Sequence, residues 1–182
     1  QNRLVLGQVK TDAKSNEITA IPELLAILDV KGCLVSIDAM GCQTAIASTI
    51  VKGGGDYLLA VKGNQPSLHS AVRAALVESM NKPLTEETVS IEKQHGRIDG
   101  REYHVLPAGA LAEQFPEWKN LKSVGVAISY RIEKMKKISM EYRYYISSAE
   151  LTPEQFSSAV RGHWAIENSL HWVLDVVMNE DA

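Results

Sequence analysis

The chain has 182 residues, 45% of them hydrophobic, and a formal net charge of -3. That size suits one domain, or one domain with an inserted lobe, and the charge argues against bulk binding of polyanions. The longest apolar runs, such as Tyr57–Val61, are far too short to cross a bilayer, and no charged-then-apolar leader opens the chain.

The elements are read in chain order. Arg3–Lys10 is a Leu- and Val-rich strand, and Thr11–Thr19 is a polar loop. Thr19 caps a helix over Ile21–Asp29 with Pro22 in its first turn, and Gly32 stops it. Cys33–Asp38 is a nearly continuous apolar run ending in an acid, the pattern of a strand buried on both faces. Gln43–Lys52 is a helix closed by Gly53-Gly54-Gly55. Asp56–Lys62 is a strand ended by Gly63-Asn64, and Pro66–Met80 is a helix. This alternation predicts a parallel α/β core.

The rhythm then changes. Thr88–Lys93 and Glu102–Leu106 read as strands around a turn at His95–Gly100. Pro107–Asn120 is a loop with a short helix. Ser123–Glu133 and Ile138–Ser147 form a hairpin around Lys134–Lys137. Thr152-Pro153-Glu154 opens a helix that leads through Gly162 into a second one over His163–Val176. Three regions result: residues 1–85, a β-rich stretch over 86–149, and closing helices over 150–182.

Charge is uneven across them. Residues 1–92 carry 8 Lys/Arg against 10 Asp/Glu, residues 93–149 carry 10 against 6, and residues 150–182 carry 1 against 6. A basic middle can face phosphates while an acidic tail holds metal, although solvated faces give the same counts. Cys33 and Cys42 lack zinc spacing and read as reduced, structural thiols, in keeping with a cytoplasmic location. The chain opens in strand pattern without Met and stops after a helix, which reads as a fragment of a longer protein.

The closing helix carries the chemistry. At about 100° per residue, Ile166, Leu170, Val173, Leu174 and Val177 share an apolar arc, and His163, Glu167, His171 and Asp175 form a stripe beside it. A carboxylate there is costly to keep charged without a cationic partner, which leaves a metal ion, a histidine or surface water as answers. Asp38 ends a central strand, where open α/β sheets bind ligands, and Ala39-Met40-Gly41 leave room for one; a strand-end Asp that caps the following turn has the same sequence. Asp38 and Glu167, brought together, would repel unless a divalent cation such as Mg²⁺ relieved them, and two such ions can stabilise an in-line phosphoryl displacement. Arg97, Arg101, Lys134, Lys136, Lys137 and Arg143 supply the basic middle, with Arg161 and His163 in the tail. Trp164 and Trp172 read as core rather than stacking platforms. Gly53-Gly54-Gly55 and Lys62-Gly63-Asn64-Gln65 miss the P-loop spacing and read as loop punctuation.

Several ordered segments carry a resemblance: Val9-Lys10-Thr11 with Ser15-Asn16-Glu17-Ile18, Ser36–Gln43, Leu59–Gln65, His95-Gly96-Arg97 and the His163–Asp175 helix. Together they resemble the DDE transposases of bacterial insertion sequences, in particular the H-repeat-associated transposase-like proteins linked to Rhs elements. The resemblance implies a ribonuclease-H-like core with a β-rich insertion before the last catalytic helix. It implies Mg²⁺- or Mn²⁺-dependent cleavage and transfer of double-stranded DNA at element ends, with two ions in the complete site. By motif Asp38 takes the place of the second acid and Glu167 that of the Glu, both as catalytic residues and metal ligands. Arg97, Arg101, Lys134, Lys136, Lys137, Arg161 and His163 are the corresponding DNA contacts. Many relatives surround the Glu with Tyr, Arg and Lys where this chain has Val160, His163 and Leu174. The first Asp is expected upstream of Gln1, so the chain by itself should be inactive. Two other readings stay open: a non-catalytic remnant that binds DNA or pairs with a second copy, and a zinc hydrolase using His163, Glu167 and His171.

Overall fold

A computed structural model describes residues 17–81, 87–94, 97–133 and 139–166. The elements run α1 (Glu17–Ile27), β1 (Leu34–Ile37), α2 (Thr44–Lys52), β2 (Asp56–Val61), α3 (Pro66–Met80), β3 (Glu87–Gln94), β4 (Arg97–Pro107), α4 (Ala110–Gln114), β5 (Ser123–Glu133), β6 (Ser139–Ser147) and α5 (Pro153–Ile166). Six strands form one sheet in the order β1-β2-β6-β5-β4-β3. β1 and β2 are parallel, as the α/β alternation requires, and every other pairing is antiparallel. The expected strand at Arg3–Lys10 lies outside the described residues.

Alternation along the strands divides the core in two. Tyr57, Leu59 and Val61 of β2, Val124, Val126 and Ile128 of β5, and Tyr144 and Ile146 of β6 face a large cluster with Ile46, Ile50, Leu68, Val72 and Leu76 of α2 and α3. The intervening residues Leu58, Ala127 and Tyr145 join Tyr103 of β4 on the opposite face, under Phe156 and Val160 of α5. Phe156 packs edge-on against Tyr145 and Tyr103, with ring centroids 5.6 and 6.3 Å away. A Cβ on Gly125 would stand 2.6 Å from the Phe156 ring, so the glycine lets α5 lie close to the sheet.

The seam between the parallel and antiparallel halves is fixed by two buried serines. Ser147 Oγ donates to the Tyr57 carbonyl at 2.7 Å. Ser148 Oγ donates to Asp56 Oδ1 at 2.7 Å and accepts from the Tyr57 N–H at 3.0 Å. Each is a buried polar group with its partner, as burial demands.

Three expectations needed adjustment. α1 starts at Glu17, so Pro22 stands inside it rather than in its first turn. That costs a backbone N–H bond, but it lets Ile21 join Leu25 against the core. β1 is exposed at Leu34 and half-buried beyond it, because among the described residues it pairs on one side alone. Gly162 does not divide two helices; α5 runs through it. Its start is the expected one: Thr152 Oγ1 accepts from the Gln155 N–H at 3.3 Å, and Gln155 Oε1 accepts from the Thr152 N–H at 3.0 Å, a capping box.

Candidate functional site

Asp38 follows the last residue of β1 and is exposed. Its Oδ1 accepts the N–H groups of Met40 at 3.2 Å and Gly41 at 3.3 Å. The carboxylate therefore does cap the next turn. Gly41 is required in this turn, since a Cβ would collide with the Ile37 side chain and stand 2.9 Å from Ile21 Cδ1.

The turn is braced from the next loop. Asn64 Nδ2 donates to the Ala39 carbonyl at 2.6 Å, and Gln65 Nε2 donates to the Cys42 carbonyl at 2.9 Å. Lys62-Gly63-Asn64-Gln65 is thus more than loop punctuation. Its two amides fix the backbone on either side of Met40-Gly41. No local signal in the sequence marked these two amides for that role, because it depends on how close the β1 and β2 strand ends lie. Cys42 is fully buried behind the turn, and burial, with a smaller contribution from the Asp38 charge, pushes its thiol up to about 12. It is not a nucleophile in this state.

α5 reaches the same region. It packs on β1 as well as on β3, β4 and β5. Ser36 Oγ and His163 Nδ1 share a hydrogen bond of 3.2 Å, with the donor set by the histidine tautomer. Ser36 lies on the α5 face of β1, because Val35 and Ile37 alternate onto the other. The bond brings the last turn of the described α5 beside the strand that ends at Asp38.

Glu167, the other candidate ligand, falls outside the described residues, as do His171, Asp175, Trp172, Lys134, Lys136 and Lys137. Arg97 lies in β4 with its side chain outside them. Arg161 is exposed on α5, and Arg101 is half-buried on β4. Among the described residues no group of three His, Cys, Asp or Glu could hold a metal ion, and no helix is long and apolar enough to cross a membrane.

Trp164 has part of the core role expected of it and a second contact besides. It packs at the margin of the Phe156 cluster, and its ring also lies under two guanidinium groups, Arg143 at 4.9 Å and Arg101 at 5.7 Å from the ring centroid.

Residues 1–182 match the family described as Transposase DDE domain. The chain is 53% identical over 184 residues to "Putative protein YbfL" of Escherichia coli strain K12, covering 98% of this chain and 48% of that one. It is 52% identical over 184 residues to "H repeat-associated putative transposase YhhI" of the same strain, with the same coverage. A relative in Xanthobacter autotrophicus, "Uncharacterized protein in dhlA 3'region", is 40% identical over 84% of this chain and 52% of its own length. The chain thus spans about half the length of the curated relatives it matches. A sugar N-methyltransferase structure, KedS8 from Streptoalloteichus, is 11% identical with a TM-score of 0.31 over 76% of this chain and 50% of that one, a likeness too weak to bear on the fold.

Proposed function

Since this chain belongs to the DDE transposase family, we propose that in the complete protein it supplies part of a ribonuclease-H-like catalytic core for metal-dependent cleavage and transfer of double-stranded DNA. The observation that carries the reading is the convergence of Asp38 and the end of α5 on β1, through the Ser36–His163 bond. Glu167 is the next residue after α5 in the chain.

The donor set suits a hard divalent cation. Asp38 is an exposed carboxylate at a strand end, held by two N–H groups at Oδ1, and Mg²⁺ and Mn²⁺ prefer such oxygen ligands. Asp38 and Glu167 are the proposed ligands from this chain, with the first Asp of the family contributed from ahead of Gln1. When bound, two such ions stabilise the attacking and leaving oxygens of a phosphodiester displacement. Asn64 and Gln65 keep the Asp38 turn in place, and His163 sits where the family has an arginine. The strands over 86–149, with their excess of Lys and Arg, take the place of the insertion and lie toward the DNA.

The test is a nicking assay on the complete protein and on this chain, with Mg²⁺ or Mn²⁺. The complete protein is expected to nick duplex DNA, and Asp38→Asn or Glu167→Gln to abolish it. Nicking that survives both substitutions would sink the assignment. Robust cleavage by residues 1–182 alone, lost in Asp38→Ala, would overturn the missing-ligand part. A complete protein that binds DNA and never cleaves it would favour the remnant reading.

A further inference from the structure

The last described turn of α5 is held from two directions. His163 Nδ1 shares its hydrogen bond with Ser36 of β1. Trp164, the next residue, meets Arg143 of β6 and Arg101 of β4, whose Cζ atoms stand 4.9 and 5.7 Å from its ring centroid. Successive helix residues point about 100° apart, so one anchor ties the helix to β1 and the other ties it to β4 and β6. Two anchors so placed fix the rotation of the helix end about its own axis as well as its position on the sheet.

The register explains why two arginines reach one ring. β5 lies between β4 and β6, with Ser129 opposite Arg101 and Ala127 opposite Arg143. Residues two apart on a strand share a face. Arg101 therefore continues the row of Tyr103, and Arg143 the row of Tyr145, beyond the buried floor under Phe156 and Val160. At this level β5 presents only the small side chains of Ala127 and Ser129, which leaves the space between the arginines to the indole. Arg143 is itself oriented by Glu141, whose Oε1 accepts from Nε at 2.9 Å and whose Oε2 accepts from Nη2 at 3.4 Å. Arg101, Ser129, Glu141, Arg143 and Trp164 all line one groove of about 420 Å³. Both arginines and the tryptophan are half-buried, and partial desolvation strengthens a guanidinium–indole contact.

We infer that Arg101 and Arg143, acting through Trp164, are positioning residues for Glu167. Glu167 is one peptide bond beyond Ile166, the end of α5. In the helix read from the sequence over His163–Val176, it follows Trp164 by three residues and His163 by four, and residues so spaced are neighbours on a helix surface. The turn that carries both anchors is thus the turn that aims the carboxylate. Aim matters because a metal site tolerates ligand distances only within about 0.2 Å of the preferred value. The inference rests on the reading of Glu167 as a metal ligand and adds the groups that hold it in place.

The experiment measures Mn²⁺ binding to the complete protein from the electron paramagnetic resonance of the free ion. The unaltered protein should bind Mn²⁺, and Glu167→Gln should bind it far more weakly. Arg101→Met and Arg143→Met combined should raise the dissociation constant about 10-fold or more, the usual effect of removing groups that orient a ligand. Arg143→Lys should bind more tightly than Arg143→Met, because lysine keeps a cation over the ring. Ser148→Ala removes a buried hydrogen bond at the start of β2; it should lower the urea midpoint and leave Mn²⁺ binding unchanged. Arginine variants that bind like the unaltered protein, while Glu167→Gln does not, would overturn the positioning role alone. So would a loss in Ser148→Ala equal to that of the arginine pair, since stability would then explain both. An unaltered protein that takes no Mn²⁺, or a Glu167→Gln variant that binds as tightly, would sink the metal reading and the positioning role with it. Should the double variant fail to fold, the comparison of Arg143→Met with Arg143→Lys carries the test.

Discussion

The Ser36 hydroxyl and the His163 imidazole Nδ1 lie 3.2 Å apart although 127 residues separate them. This bond ties α5 to the strand that ends at Asp38. Ser36→Ala should lower stability by about 0.5–1.5 kcal/mol, the usual net worth of one such bond. A double-mutant cycle with His163→Ala, read from urea midpoints, should give a coupling of at least about 0.5 kcal/mol. Additive effects would mean that the contact does not hold the helix.

Asn64 and Gln65 act on the other side of the same strand end. Asn64→Ala and Gln65→Ala should each cost about 1 kcal/mol. Their distinctive consequence is local: amide exchange at Met40 and Gly41 should quicken more than exchange in β5. Equal acceleration everywhere would show that the two amides serve general stability alone.

Gly125 sets the distance between α5 and the sheet. A Cβ there would meet the Phe156 ring at 2.6 Å and the His104 carbonyl at 3.0 Å. Gly125→Ala should therefore destabilise by about 1–3 kcal/mol through overpacking. Adding Phe156→Leu should recover part of that loss relative to the sum of the single changes. No recovery would place the strain on the His104 carbonyl instead.

Alkaline pH should weaken the fold. Burial, then the Asp38 charge, raises the Cys42 thiol from 9.0 to about 12. Burial, then Cys42 and Asp56, raises the Tyr57 phenol above its ordinary 10.0. The unfolded chain loses these protons first, so the native state binds more of them. Stability is then complete below about pH 9 and declines as pH rises toward 12, by up to about 1.4 kcal/mol per pH unit for each proton. Urea melts from neutral pH to about pH 10.5 test this, and Cys42→Ala should flatten the first part of the decline. Thiol labelling gives a second reading: exposed Cys33 should react promptly and buried Cys42 only on unfolding. A flat pH profile would contradict the burial of these groups.

Much of this protein was legible in its residues taken locally. Pro66 and the apolar spacing after it gave α3 its bounds, and Thr152-Pro153 marked the start of α5, because capping and proline chemistry act over a few residues. The alternation of apolar runs with helices gave the parallel pair β1 and β2. The ordered motifs around Asp38 and before Glu167 carried the family.

Other features appear only when distant segments meet. Nothing local to Asn64 or Gln65 says that they brace Asp38, and nothing local to Trp164 sets it under Arg101 and Arg143. Those contacts depend on strand order and register, which place β6 beside β2 and bring β4, β6 and α5 to one groove. Sequence alone determined most of the helices and strands and the lineage, since each follows from short-range periodicity or ordered motifs. The tertiary structure decided which polar side chains became partners, because a hydrogen bond or a cation–π contact depends on distances of a few ångströms that chain separation does not encode.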